Sequence, residues 1–191
     1  MIFVIKYIML KYTSEKEIIM DSFIEYMIKR KKNKKAILES IAVVFAAFLM
    51  TLVLTFAFLF IVPQALGILP MLIFAVFYLA YRIIASFDLE YEYILTNGEL
   101  DIDKIINKKS RKRLITVHCK SFIAFAKVGS GVYANEENST FSKVITANAN
   151  SDSYDDYFAV FYINGQKMKL IFNPTQKMID VFKIYAPRVV K

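Results

Sequence analysis

Six consecutive residues, Lys108-Lys109-Ser110-Arg111-Lys112-Arg113, place five positive charges in one short stretch. A cluster of this kind is drawn to anionic surfaces, and beside an anionic lipid leaflet each basic residue contributes about 1 kcal/mol. Lys108, Lys109, Arg111, Lys112 and Arg113 are therefore candidates for contact with anionic lipid. The alternative is a solvated turn whose charge only reinforces membrane topology. No aromatic residue is interleaved with these charges, so there is no platform for stacking bases, and a nucleic-acid partner is not expected.

Other residues could do chemistry only in company. Asp101 and Asp103 alternate onto one face of a strand, and Asp155-Asp156 adjoin in a loop. Paired carboxylates serve acid–base or metal chemistry when partners converge on them; on an exposed strand face the expectation is that they are solvated. His118 and Cys119 are neighbours on a strand and so point to opposite faces, which rules out a nucleophile–base pair between them. Cys119 is expected in the core and His118 partly exposed. One cysteine cannot form an internal disulfide and one histidine builds no metal site, so a reducing compartment fits. The sequence holds no GxSxG, HExxH, CxxC or glycine-rich phosphate loop. The expectation is a chain without catalytic residues, metal or cofactor.

The elements that must position these residues are read from hydropathy and period. The chain is 57% apolar, above the share of an ordinary soluble domain. The 25 Lys and Arg against 17 Asp and Glu leave +8, which alone would suit a nucleic-acid binder. The distribution of charge points elsewhere: residues 1–36 hold nine basic and four acidic residues, whereas 86–191 hold 15 and 12. Between these regions, Ile41–Val62 runs for 22 residues without a charge, and only Thr51 and Thr55 are polar. About 20 apolar residues suffice to cross the hydrocarbon core of a bilayer, so 41–62 is expected to span. Pro63 and Gly67 mark a tight turn, and 65–85 forms a second span ending in Tyr78, Tyr81 and Arg82, side chains suited to the headgroup zone. Residues 37–85 thus read as a transmembrane helical hairpin. Lys29, Arg30, Lys31, Lys32, Lys34 and Lys35 precede it, the basic stretch from Lys104 to Arg113 follows it, and the connection is uncharged. The positive-inside rule places both termini in the cytoplasm of a multi-pass membrane protein.

Upstream, Lys16-Glu17-Ile18-Ile19-Met20 can be reverse-translated as a ribosome-binding sequence before a start codon. Translation is then expected to begin at Met20, with 1–19 a non-native extension; the alternative is a genuine amphipathic extension. Residues 20–36 form an amphipathic and basic cytoplasmic segment. Ser22 and Glu25 match a capping box, so a short helix is expected there, with Phe23, Ile24, Met27 and Ile28 on one face. It would lie on the inner leaflet, or lead into the first span, or pack on the domain.

Residues 86–191 read as a cytoplasmic β domain. FDLEYEYILT over 87–96 alternates, Asn97-Gly98 is a hairpin turn, and ELDIDKII is its partner strand. A charged turn over 107–113 leads to LITVHC. SFIAFAKV over 121–128 fits a strand or a short helix, 129–138 an irregular loop, and 141–147 a strand. Tyr157–Ile163 and Gln166–Phe172 flank the turn Asn164-Gly165. Asn173 is expected to cap a helix over 174–186 whose stripe is Met178, Val181, Phe182 and Tyr185, with Pro187 as its stop.

The residues 91–96 with 98–102, then 157–172 and the final helix, resemble the pleckstrin-homology-like fold, a bent antiparallel sheet with a helix plugging one end. The chain is also similar, over about 20–191, to a family of small two-helix membrane proteins of anaerobic Gram-positive bacteria that begin near MDSFIEYM. The resemblance implies an α+β membrane protein and brings no catalytic residue; it favours the basic turn as a lipid contact. The expected function is a membrane-anchored, non-catalytic binding or scaffold module that meets a protein partner or the inner leaflet. The alternative is a small accessory subunit of a membrane transporter or enzyme, packing through small residues such as Ala42, Ala46 and Ala47.

Overall fold

The computed structural model describes residues 23–150 and 154–190. It divides into two compact units: one holds the chain up to Arg30, Glu90–Ile105 and Arg111 onward, and the other holds Lys31–Leu89 with Ile106–Ser110.

The helical unit contains α1 (Lys34–Phe60), a 3₁₀ segment (Pro63–Ile68) and α2 (Leu69–Ala85). Asn33 caps α1 by accepting a hydrogen bond from the Ala36 amide at 2.8 Å. Both Lys34–Phe60 and Pro63–Ala85 are long and apolar enough to cross a membrane. Their large side chains point outward all round: Phe45, Phe48, Val53, Phe56, Met71 and Phe74 are exposed, while Ala47, Thr51 and Ala80 are buried. The polar side chains of α1 satisfy themselves on the backbone: Ser40 donates to the Ala36 carbonyl, Thr51 to Phe48 and Thr55 to Thr51, each at 2.8 Å. Each hydroxyl thus bonds a backbone carbonyl one turn earlier in its own helix.

The β unit is built from two four-stranded sheets. In the first the order is β1-β2-β3-β4, formed by Phe23–Lys29, Leu89–Thr96, Glu99–Ile106 and Ser110–His118. In the second the order is β5-β7-β8-β6, formed by Phe122–Lys127, Tyr157–Ile163, Gln166–Phe172 and Lys143–Ala147. A single helical turn, α3 (Ala134–Glu137), interrupts the 129–138 loop, and α4 (Gln176–Tyr185) follows the last strand. Alternation sends successive side chains of a strand to opposite faces, and in β5 and β7 both faces are buried: Ala124, Ala126, Phe158 and Val160 form a separate cluster with Tyr133, Phe141 and Ile171 packed on it. Tyr91, Tyr93, Leu95, Leu100, Ile102, Phe125, Phe161, Leu170 and Phe172 join Met178 and Phe182 of α4 in one buried cluster. Phe182 stands edge-on to Phe122 and Phe125, with ring centroids 5.9 and 5.3 Å away, the geometry that aromatic quadrupoles favour.

Several expectations are corrected. Phe23–Lys29 is not a helix: it pairs antiparallel with β2 along its whole length, from Phe23↔Thr96 to Lys29↔Glu90. Ile24, Tyr26 and Ile28 alternate inward there, and the backbone bonds offered by β2 outweigh a helix too short to stand alone. Asp21, Ser22 and residues 1–19 lie outside the described residues. The charged turn is shorter than expected, because β4 begins at Ser110; Asn107 and Lys108 take the positive φ values, 51° and 55°. Arg111, Lys112 and Arg113 therefore belong to a strand. The sheets are not wholly antiparallel, since β6 runs parallel to β8. Thr175, not Asn173, caps α4, accepting from the Met178 amide at 3.4 Å.

Both expected Asn-Gly hairpin turns are present, with Asn97 and Gly98 at φ 50° and 82° and Asn164 and Gly165 at 51° and 77°. The two glycines differ in one respect. A Cβ on Gly98 would meet the Tyr185 ring at 2.6 Å, whereas one on Gly165 would meet nothing within 4 Å. Gly165→Ala should cost about 1–2 kcal/mol through its backbone alone. Gly98→Ala should cost more, because the α4 terminus must also move. Thermal unfolding of the two full-length variants in mild detergent checks the order.

Candidate functional site

The face of the first sheet that turns away from the core carries most of the charge. Because Ile24, Tyr26 and Ile28 point inward, Phe23, Glu25, Met27 and Lys29 project from the opposite side of β1. By the same alternation, Glu90 and Glu92 of β2 and Asp101 and Asp103 of β3 leave the core side to Tyr91, Tyr93, Leu100 and Ile102.

These carboxylates are not solvated as expected. Glu92 and Asp103 are each only 2% exposed. Two arginines of β4 hold them. Arg113 places Nε against Asp103, with Nη2 3.4 Å from the same carboxylate and Nη1 2.6 Å from Asp101. Thr116 donates its hydroxyl to Asp101 and accepts from Arg113 at 3.1 Å. Arg111 pairs with Glu92 through Nη2 and lies 3.8 Å from Asp103 through Nε. The guanidinium fork suits such shared pairing, which a lysine could not reproduce. The pairing with Glu92 is imperfect: its Oε2 lies within ion-pair range of Arg111 yet accepts no well-aligned hydrogen bond. Burial, and after it a hydrogen bond with the Glu25 carboxyl, raise the Glu92 pKa above the ordinary glutamate range, against the pull of Arg111.

The five residues predicted as one basic site are thus divided. Arg111 and Arg113 reach inward to carboxylates, while Lys108, Lys109 and Lys112 are exposed and form no ion pair among the described residues. In the basic segment before α1, Arg30 donates to the Tyr91 hydroxyl at 3.5 Å and Lys35 lies 3.9 Å from Glu39; Lys29 is on β1 and Lys34 opens α1.

The remaining candidates do not converge. His118 is exposed and its Nδ1 accepts from the Lys120 amide at 3.1 Å, whereas Cys119 is fully buried, which pushes its thiol up to about 12. Asp155 pairs with Lys127 at 2.7 Å, and Asp156 accepts from Asn148 and Asn173, each at 2.7 Å. Among the described residues no group of three or more His, Cys, Asp or Glu side chains is arranged to hold a metal. A polar cleft of about 370 Å³, unforeseen in the sequence, opens where α4 begins, lined by Tyr26, Tyr154, Asp155, Tyr157, Thr175 and Gln176. Its residues come from three separate stretches of the chain, which no local pattern could connect.

Two largely antiparallel sheets with a C-terminal helix packed into their core make this an α+β module of the PH-like kind. Over residues 20–191 the chain matches the family described as Bacterial PH-like domain (DUF6106), and it belongs to that family. No curated protein and no solved structure matches it.

Two outcomes follow from the paired face. Arg113→Ala leaves the buried Asp103 with only the more distant Arg111, so it should cost about 1–3 kcal/mol. Lys112→Ala should stay within about 0.5 kcal/mol; denaturant unfolding separates them. The pH effect of Glu92 has a definite sign. A carboxyl whose folded pKa is raised stabilises the fold in its protonated form, and that contribution is lost as pH rises above the ordinary glutamate range through the raised value. Glu92→Gln should flatten this decline, read from melting temperatures across the pH series.

Proposed function

We propose that this chain is a membrane-anchored, non-catalytic binding module. α1 and α2 cross the bilayer as a hairpin, both termini lie in the cytoplasm, and the β domain is presented there to a protein partner or to the inner leaflet. The observation that carries this reading is the outward apolar surface of two consecutive helices joined by the uncharged 61–68 connection and flanked on both sides by basic residues. Exposed Phe, Leu and Met on every side of a helix are costly in water and at home in lipid. Lys29, Arg30, Lys31, Lys32, Lys34 and Lys35 supply the positive inner flank.

Within this reading, contact with anionic lipid is made by the basic segment 108–113. Lys108, Lys109 and Lys112 carry it, since their ammonium groups are exposed. Arg111 and Arg113 remain half-exposed but already serve the carboxylates of their own sheet. A second reading, a small accessory subunit of a membrane transporter or enzyme, has one observation in its favour. An apolar groove of about 640 Å³ runs between α1 and α2, lined by Ile41, Val44, Phe45, Phe48, Phe77 and Ile84. Co-elution of a large partner in mild detergent would favour it.

Orientation is tested by cysteine labelling with a membrane-impermeant reagent, Cys119 being shielded by burial. Ala65→Cys should be labelled from outside intact cells and Ser110→Cys only after lysis; the reverse pattern overturns the topology. The lipid contact is tested with an environment-sensitive fluorophore on Ser110→Cys in nanodiscs. Emission should shift with anionic lipid and return at high salt, as exposed charges are screened within about 8 Å at physiological ionic strength. Replacing Lys108, Lys109 and Lys112 by Ser should remove the shift, and an unchanged response would exclude these lysines.

A further inference from the structure

The groove between α1 and α2 is confined to one end of the hairpin. Its lining runs from Ser40 to Phe48 on α1 and from Phe77 to Ile84 on α2, whereas α1 continues to Phe60 and α2 begins as far back as Leu69. At 1.5 Å per residue, Ser40 and Phe48 are about 12 Å apart along the helix, close to half of a hydrocarbon core about 30 Å thick. Between these limits the walls are apolar. Ser40, at the end of the groove, donates its hydroxyl to the Ala36 carbonyl and so needs no water.

The charge of the helical unit gathers at this same end. Seven basic residues stand there against Glu39 and Asp88, and the opposite connection, 61–68, carries no charge. Lys34 is exposed and precedes Ile41 by seven residues, two turns along one face of α1. Lys34 and Lys35 fill the first turn with no acidic residue beside them, at the helix end whose dipole also favours an anion. Lys35 meets Glu39 only across an exposed 3.9 Å gap. Arg82 lies in the last turn of α2, and the Asn107 amide donates to the Asp88 carbonyl at 2.8 Å, which ties the turn of Lys108 and Lys109 to this end as well.

We propose that the groove seats one acyl chain of an anionic phospholipid from the inner leaflet, with the lipid phosphate held by Lys34 and Lys35. The inference rests on the membrane reading given above. A partner helix crossing the whole bilayer packs along the whole length of its neighbours; a groove that stops at Phe48 and Phe77 has the reach of a chain entering from one leaflet. The surplus of positive charge at the mouth selects the headgroup, because a zwitterionic lipid brings its own ammonium to an end that is already positive.

The chain contains no tryptophan, so a single introduced one reports on its own surroundings. Phe48→Trp places it in the groove. Met50→Trp is the control, since two residues further on it lies about 200° round the same helix at nearly the same depth. The full-length variants are reconstituted in bilayers, and quenching by phosphatidylglycerol with brominated acyl chains is compared with quenching by brominated phosphatidylcholine at equal mole fraction. Phe48→Trp should be quenched at least twofold more by the anionic lipid, and Met50→Trp equally by both. Adding Lys34→Ser and Lys35→Ser should bring the Phe48→Trp ratio down to that of the control. Equal quenching of Phe48→Trp by the two lipids, or a preference that the serine variant leaves unchanged, would overturn the proposal while the membrane reading stood. So would a Phe48→Trp shielded from both lipids beside a quenched Met50→Trp, the signature of a helix in the groove. If neither lipid quenched either tryptophan, the membrane reading itself would fall.

Discussion

The pairing of β1 with β2 is the constraint on which the rest of the architecture depends. The chain leaves the sheet at Lys29, runs through both apolar helices, and returns at Glu90, the residue directly opposite. An excursion of this length has a closure cost that grows only slowly with its size, and a seven-residue ladder is available to offset it. The consequence is that the segment before the helices is an integral part of the β domain. A fragment starting at residue 87 would lack an edge strand and leave the core face of β2 short of Ile24, Tyr26 and Ile28.

The second constraint is a buried hydroxyl. Tyr93 is fully buried, donates to the Ala147 carbonyl and accepts from the Asn173 amide at 3.3 Å. Asn173 in turn accepts from the Ala149 amide and donates to the Asp155 carbonyl, both at 2.7 Å. One side chain of the first sheet thereby fixes two connections of the second. Burial moves the Tyr93 phenol upward, so it stays neutral and keeps its donor at all ordinary pH values. This explains why Asn173 does not cap α4: its side-chain amide is already used three times, its oxygen by the Ala149 amide and its nitrogen by Asp155 and Asp156, and the cap passes to Thr175.

What could be read from the sequence was local. Both Asn-Gly hairpins, the two long apolar helices and the Met178/Phe182 stripe are set by residues within a turn or two of one another, and the structure has them. β1 was not legible, because Phe23, Ile24, Met27 and Ile28 satisfy a helical spacing as well as a strand, and the deciding partner lies beyond two intervening helices. The parallel pairing of β6 with β8 was hidden for the same reason. In the candidate site, Asp101 and Asp103 were legible as a pair on one face. Their burial was not, since that depends on Arg111 and Arg113 lying in a strand and not in a turn. Glu92 gave no signal at all: in an alternating strand an outward glutamate looks solvated, and only the neighbouring strands decide otherwise.

The division between lysine and arginine in the basic segment follows from the chemistry of the two side chains. A guanidinium is planar, offers several fixed donors and is weakly hydrated, so it can enter a partly buried carboxylate cluster and hold two acids at once. An ammonium is a compact, strongly hydrated charge that loses much by the same move. Arg111 and Arg113 reach the acids of β2 and β3, while Lys112 between them is exposed and makes no ion pair among the described residues. The strand therefore sorts its own charge: the groups able to neutralise buried carboxylates are consumed in holding the sheet, and those that prefer water are left on the surface. Of the five positive charges in this run, two are thus engaged by carboxylates and three stay exposed, a division that follows side-chain type.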